Sequence, residues 1–335
     1  MNGNYTSYKK PKIINVSDQI HCPLCNSNNL SFLCEGYDRF YGIEGEFSIY
    51  KCGNCKITFT LPQISGDLIA KHYPKDYYAY QIHISKTRKE KINLFFKKPF
   101  IFFDLFFCKI VDFLLFPFKR KQIGFLGDKI LDVGCGSGEF LKSLKSRGCE
   151  LYGIDIGNVD KESMRLSGII YTQSDLRTFL IDQPIFDYIT LNHVFEHFDD
   201  PLFHASKLYQ LLKPGGKIII TVPNISSLNR FIFGKYWMAY EIPRHLFHYN
   251  TKTLSNIFTE VGFIKGKIKF NTVPAIFLAS FYYSINSLLK RETPLSLSNF
   301  WTNGYLNLLL VPYVYILNFF RIGDQFEIIF SKPVS

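Results

Sequence analysis

The sequence predicts an α/β chain built on a Rossmann-like sheet, and three observations carry that expectation. First, an apolar run, Ile130–Val133, enters a turn holding Gly134, Gly136 and Gly138, after which Phe140, Leu141 and Leu144 recur at helical spacing. Strand, glycine turn and helix in that order open a nucleotide-type binding unit. Second, a strand-like run, Leu151–Ile156, places Asp155 about 20 residues after the turn, where a carboxylate can hold ribose hydroxyls. Third, three more strand-like runs follow in order: Ile169–Asp175, Phe186–Val194 and Lys217–Val222.

The chain before this core reads as two segments, 1–65 and 66–122. Residues 1–20 are polar and lack an apolar segment, so no signal peptide is expected. Cys22-Pro-Leu-Cys25 and Cys52-Gly-Asn-Cys55 form two C-x-x-C knuckles with 26 residues between them. Four thiolates in two such pairs suit tetrahedral S₄ coordination of a structural zinc, with Pro23 and Gly53 favouring tight turns. Neither pair has the strand–helix context of a redox dithiol. Eight cysteines without a secretory signal argue for a reducing compartment, and a cytoplasmic location is the expectation.

The formal net charge is +11, and much of it lies in the second segment. Between Lys86 and Lys121 ten Lys and Arg residues face only Glu90, Asp104 and Asp112, interleaved with Phe95, Phe96, Phe100, Phe102, Phe103, Phe106, Phe107, Phe113, Phe116 and Phe118. Cations flanking an aromatic, apolar stretch point to an anionic membrane surface more than to a phosphate groove. This is the first argument against a nucleic-acid partner.

Within 123–270, the glycine turn departs from the dinucleotide fingerprint, because Glu139 occupies the place of the third glycine. Carboxylates at Asp132 and Glu139 would also repel a pyrophosphate at the helix N-terminus. A ligand with a cationic amino-acid end and no phosphate fits better, and S-adenosylmethionine is one. Strand four runs into His193-Val-Phe-Glu196-His197, and strand five ends at Pro223-Asn224. Lys265–Phe270 reads as strand six and Gln325–Ser331 as strand seven, within a closing segment, 323–335. Between them, segment 271–322 contains Phe270–Leu289 and Thr302–Phe320, each free of charge and long enough to span a bilayer. Pro274, Pro312 and scattered Asn residues weaken a spanning helix, so helices lying in the membrane interface are expected.

Together these motifs resemble the class I S-adenosylmethionine-dependent methyltransferases, especially the branch with "HVxEH" after strand four. The resemblance covers roughly residues 70–270 and the last strand. It implies a seven-stranded sheet, with Asp132, Gly134, Gly136, Gly138, Asp155, Asp175, Leu176 and Asn192 on the cofactor, and His193, Glu196, His197 and His245 as the catalytic set. Methyltransferases of nucleotide-linked or lipid-linked sugars carry a similar four-cysteine zinc module. Residues 72–80, with Tyr77 and Tyr78, look like their tyrosine-rich cofactor or acceptor cap. Glu241-Ile-Pro-Arg-His245 resembles their acceptor segment, with Arg244 in place of a glutamate, which favours an oxygen acceptor over a carbon acid. The resemblance therefore implies O-methylation of a sugar or glycan, possibly lipid-linked, in envelope polysaccharide biosynthesis, by an enzyme peripheral to the cytoplasmic membrane.

Other readings are an isoprenoid quinone-precursor O-methyltransferase, an RNA methyltransferase and a non-catalytic cofactor-binding partner. Strand four lacks the Pro-Pro-aromatic turn of base-amino methyltransferases, and strand five lacks a Pro-Cys nucleophile. A zinc hydrolase using H-x-x-E-H would need both histidines on one helix face, whereas His193 ends a strand.

Overall fold

The computed structural model describes residues 20–64, 71–73, 110, 114, 123–157, 159–181, 183–289 and 304–334. Tyr77, Tyr78, nearly all of the basic Phe-rich stretch, and the Lys290–Glu292 linker of the insertion lie outside the described residues.

A four-stranded antiparallel sheet comes first. Strands β1 (Leu30–Gly36), β2 (Phe47–Cys52) and β3 (Thr58–Leu61) are joined by β9 (Phe247–His248), in the order β1-β2-β3-β9. Strand β2 follows the period-2 rule over its first four residues, burying Phe47 and Ile49 and leaving Ser48 and Tyr50 partly exposed. Because β9 belongs to the second half of the chain, the cysteine-bearing strands are built into the main body. Cys22, Cys52, Ile57 and Phe59 share one buried cluster with Leu131, Ile189, Ile220 and Phe326.

The main sheet has seven strands: β4 (Lys129–Val133), β5 (Glu150–Asp155), β6 (Ile169–Gln173), β7 (Phe186–Asn192), β8 (Leu212–Pro223), β10 (Ile264–Phe270) and β11 (Gln325–Ser331). Their order is β10-β11-β8-β7-β4-β5-β6. The five strands from β4 to β8 run parallel, and β11 and β10 are antiparallel additions. Strand order reverses at β4, so Gly134 and Asn192 leave neighbouring strands at the switch point, where open α/β sheets bind ligands. The strands match the sequence expectation within a few residues. The exception is β8, which starts at Leu212 because the Lys-Pro-Gly-Gly turn is itself extended.

Helix α1 (Glu139–Leu144) starts directly from the glycine turn, whereas α2 (Lys161–Leu166), α3 (Pro201–Leu211), α4 (Leu228–Phe233) and α5 (Thr251–Glu260) begin where the sequence supplies side-chain caps. Asp160, Asp200 and Ser227 accept the N–H three residues on, and Asn250 with Thr253 forms a capping box.

The apolar insertion is helical: α6 (Pro274–Leu288) and α7 (Gly304–Phe319) connect β10 to β11. Register sets where they emerge. Asn192 pairs with Thr221, Pro223 with Gln325, and Phe326 with Phe270. The insertion therefore leaves from the edge that carries the glycine turn. At 15 and 16 residues, the helices reach about 24 Å, short of the roughly 30 Å of a hydrocarbon core. No helix among the described residues is long and apolar enough to cross a membrane, because α6 starts at Pro274 and not at Phe270.

Candidate active site and cysteine cluster

The glycine turn is shaped by close approach. Gly134, Gly136 and Gly138 all adopt positive φ. A Cβ at Gly134 would meet Val194 at 2.4 Å, and one at Gly138 would meet Met164 at 2.6 Å, so the turn admits no side chain at either place. Asp155 ties turn to strand: its carboxylate accepts Gly136 N–H at 2.8 Å and Gly157 N–H at 2.7 Å. Asp132 is buried beneath the turn and accepts from the Thr190 hydroxyl. The exposed end of β7, Asn192, stands beside them. Of the two residues expected on adenine, Asp175 is exposed and holds a turn by accepting Thr178 N–H at 2.7 Å, whereas Leu176 is a core residue at 1% exposure.

His193 follows β7 directly, in a left-handed conformation (φ 55°) uncommon outside glycine. Its N–H bonds to Thr221 O at 2.9 Å, and its imidazole is about a third exposed. Nδ1 lies 3.3 Å from Oε1 of Glu196, which is only 1% exposed. Burial opposes a charge on His193, but the adjacent Glu196 carboxylate and then Glu241 outweigh it, so its pKa is raised. His245 is the opposite case. It is buried, its Nδ1 stands 3.0 Å from Ala239 O, and burial followed by the nearby His197 and His248 holds its pKa well below that of free imidazole. His197 packs edge-on against it at 4.8 Å and places Nδ1 2.9 Å from Arg244 O and 3.0 Å from the Tyr73 hydroxyl. The four expected catalytic residues thus converge, but only His193 opens toward solvent to this degree with a carboxylate behind it.

Arg244 does not face an acceptor. It is fully buried, with Nη1 2.7 Å and Nη2 3.2 Å from the two oxygens of Asp38, Nη1 3.1 Å from His72 O, and Nε 3.0 Å from Glu241. This bidentate pair ties the loop after β1 to the segment carrying His245. Asp38 and Glu241 were given no role in the sequence reading. Glu241 had a signal, four residues before His245, while Asp38 is 206 positions away from Arg244 and had none.

The four knuckle cysteines converge. Cys22 and Cys55 sulfurs are 3.6 Å apart, Cys25 and Cys52 sulfurs 3.5 Å, and all four lie within 4.8 Å of one another as free thiols. A tetrahedral ion with 2.3 Å sulfur bonds needs edges of about 3.8 Å, so the donor set fits zinc. Burial raises the pKa of Cys22 and Cys55, whereas at Cys52 the N–H groups of Cys55 and Asn54 overcome burial and bring it down to about 7.

Residues 102–264 match a family model described as a methyltransferase domain. The chain is 32% identical over 118 residues to the ubiquinone biosynthesis O-methyltransferases of Psychrobacter cryohalolentis and Vibrio cholerae, across 32% and 33% of its own length. It spans less than half of those relatives, 45% and 46%. A solved structure of Haemonchus contortus phosphoethanolamine N-methyltransferase 2 with S-adenosyl-L-methionine aligns with a TM-score of 0.42 and 20% identity, over 67% of this chain and 52% of that one. With its seven-stranded sheet, its glycine turn and this match over residues 102–264, the central part of the chain has the α/β Rossmann-like methyltransferase fold.

Proposed function

We propose that the chain transfers a methyl group from S-adenosylmethionine to a hydroxyl of an amphiphilic acceptor at a membrane surface, with a lipid-linked sugar as the acceptor class. One observation carries the reading: a half-open histidine backed by a buried carboxylate shares a sheet edge with an exposed apolar helix pair. Leu288, Leu309, Phe319 and Phe320 are 78%, 60%, 78% and 63% exposed. Apolar exposure on that scale favours an apolar or membrane-bound companion over a freely soluble acceptor. The sugar class rests on the resemblance of the four-cysteine module, in which zinc is proposed to be structural.

The cofactor would supply an electrophilic methyl on a sulfonium, and Asp155 and the glycine turn are the residues to hold its ribose and amino-acid end. His193 accepts the hydroxyl proton as the acceptor oxygen takes the methyl group, leaving a methyl ether, S-adenosylhomocysteine and an imidazolium. Glu196 stabilises that imidazolium at 3.3 Å. General-base help of this kind contributes roughly 10²–10⁴-fold; the rest of the rate comes from holding the reacting atoms in line.

A second reading, an isoprenoid quinone precursor as acceptor, is favoured by the names of the relatives. Incubating the protein and methyl-labelled cofactor with fractionated host extract separates the two. Label in the lipid phase that mild acid releases as a methylated sugar supports the first, and label on an acid-stable aromatic lipid supports the second. Label confined to RNA, or His193→Ala turning over at the wild-type rate, defeats the proposal.

A further inference from the structure

We infer that Glu196, His197 and His245 form a divalent-cation site separate from the cysteine cluster. Glu196 and His197 come from the turn after β7, and Glu241 and His245 from the segment before β9. One ligand atom from each of Glu196, His197 and His245 lies within 4.8 Å of the others. Nε2 of His245 is 3.8 Å from Glu196 Oε1 and 3.6 Å from Glu241 Oε2. Donors sharing an ion at about 2.1 Å stand roughly 3–4 Å apart, so small side-chain movements bring Glu196, His197 and His245 onto one ion.

The hydrogen bonds around the cluster favour ligation. Nδ1 of His245 is 3.0 Å from Ala239 O, and Nδ1 of His197 is 2.9 Å from Arg244 O. A carbonyl oxygen only accepts, so each Nδ1 carries the hydrogen and each Nε2 carries a lone pair. Histidines that ligate metals are oriented in this way, by donating their other N–H to a carbonyl. The lone pair of His245 therefore faces the Glu196 carboxylate, with Oε1 at 3.8 Å.

A second observation points the same way. Glu196 is 1% exposed, neither of its oxygens receives a well-aligned hydrogen bond among the described residues, and its neighbour His193 reaches Oε1 only at 3.3 Å. The buried hydroxyl of Tyr249 also lacks a hydrogen-bond partner among the described residues, and Glu196 acts on it electrostatically. Buried carboxylates without hydrogen bonds are rare unless they coordinate a metal or pair with a cation. The donor set of two imidazoles and one carboxylate suits zinc, iron(II) or manganese(II) better than magnesium or calcium. An ion here would fix Glu196, and through it the orientation of His193. The site stands on donor geometry and does not depend on the methyl-transfer reading.

Metal content decides it. The purified full-length chain is equilibrated with zinc chloride, desalted and analysed, and a second sample is reconstituted with cobalt chloride. Wild type is expected to hold two equivalents, one giving a thiolate-type cobalt spectrum and one an oxygen- and nitrogen-type spectrum. Glu196→Gln and His245→Gln should each lose the second equivalent alone, Cys52→Ser the first alone, and His193→Asn neither. A wild-type chain with one equivalent and only the thiolate spectrum overturns the inference, whether or not the variants fold. Two equivalents that persist in Glu196→Gln overturn it as well, leaving Glu196 balanced by His193 alone.

Discussion

Two regions of the molecule reverse the ordinary placement of side chains, in opposite senses. Between the turn after β7 and the strand β9, Asp38, Glu196, Glu241, Arg244, His245 and His248 are all under a tenth exposed. Around α4, α6 and α7, Phe231, Leu288, Phe319 and Phe320 are more than three-fifths exposed. Buried charge and exposed aromatics are the two informative departures from the usual pattern. The first region is held from within, since Arg244 is clasped by Asp38 and Glu241, and its rigidity sets the angle of the histidines. The second region has its apolar atoms in water, and its stability gain waits on something to cover it. One region is closed on itself, and the other leaves apolar surface open.

The largest expected effect comes from breaking the polar region at its centre. Arg244→Met leaves Asp38 and Glu241 buried without their cation and should cost about 3–5 kcal/mol by chemical denaturation. Arg244→Met with Asp38→Leu should recover a good part of that loss, since an apolar pair of similar volume is often tolerated. A loss under 1 kcal/mol in the single variant would mean that the clasp is not what holds the region.

Asp324, at the border between the two regions, should give the next effect, through pH. It accepts Trp237 Nε1–H at 2.8 Å and Asn229 Nδ2–H at 2.6 Å, yet burial raises its pKa to about 6. A carboxyl raised in the folded state stabilises most below its unfolded pKa of about 4, and that contribution fades as pH climbs through about 6. Two units correspond to about 3 kcal/mol. The stability difference between wild type and Asp324→Asn should therefore shift by about that much against wild type from pH 4 to pH 7. A difference that stays flat with pH refutes the assignment.

Cofactor affinity should respond less. Asp155→Ala removes the carboxylate assigned to the ribose hydroxyls, a loss of about 1.5–3 kcal/mol for hydrogen bonds to a charged group. Calorimetry should show S-adenosylmethionine binding weakened about 10- to 100-fold. Unchanged affinity would place the ribose elsewhere.

The smallest effect on stability is expected where the docking effect is largest. Phe319→Ser with Phe320→Ser alters exposed side chains, so folding stability should move by less than about 0.5 kcal/mol each. Co-flotation with anionic liposomes should nevertheless fall. Equal flotation of variant and wild type would remove this face from membrane docking.

Legibility followed the range of the interactions. The five parallel strands and the glycine turn were readable because hydrophobic period, turn residues and caps act over a few positions; Asp160, Asp200 and Asn250 announce their helices locally. The cysteine cluster was readable for the same reason, since two knuckles carry their own spacing. His193, Glu196 and His197 stood out as one motif, but their unequal roles did not. His193 is open and His245 is sealed because of what packs over each, and neither sequence position records that.

The amino-acid order by itself determined the strand sequence, the glycine turn, the paired thiols and the two uncharged helices of the insertion. Each is a property of neighbours along the chain, set by backbone sterics and local periodicity. Only the tertiary structure decided that β9 completes the cysteine-bearing sheet, that Arg244 meets Asp38 across 206 positions, and that Glu196 Oε1 stands 3.8 Å from His245 Nε2. Those contacts depend on which surfaces the packed core brings together. Burial then turns ordinary side chains into a fixed ion pair and a candidate metal site, because charges removed from water must find partners within hydrogen-bond reach.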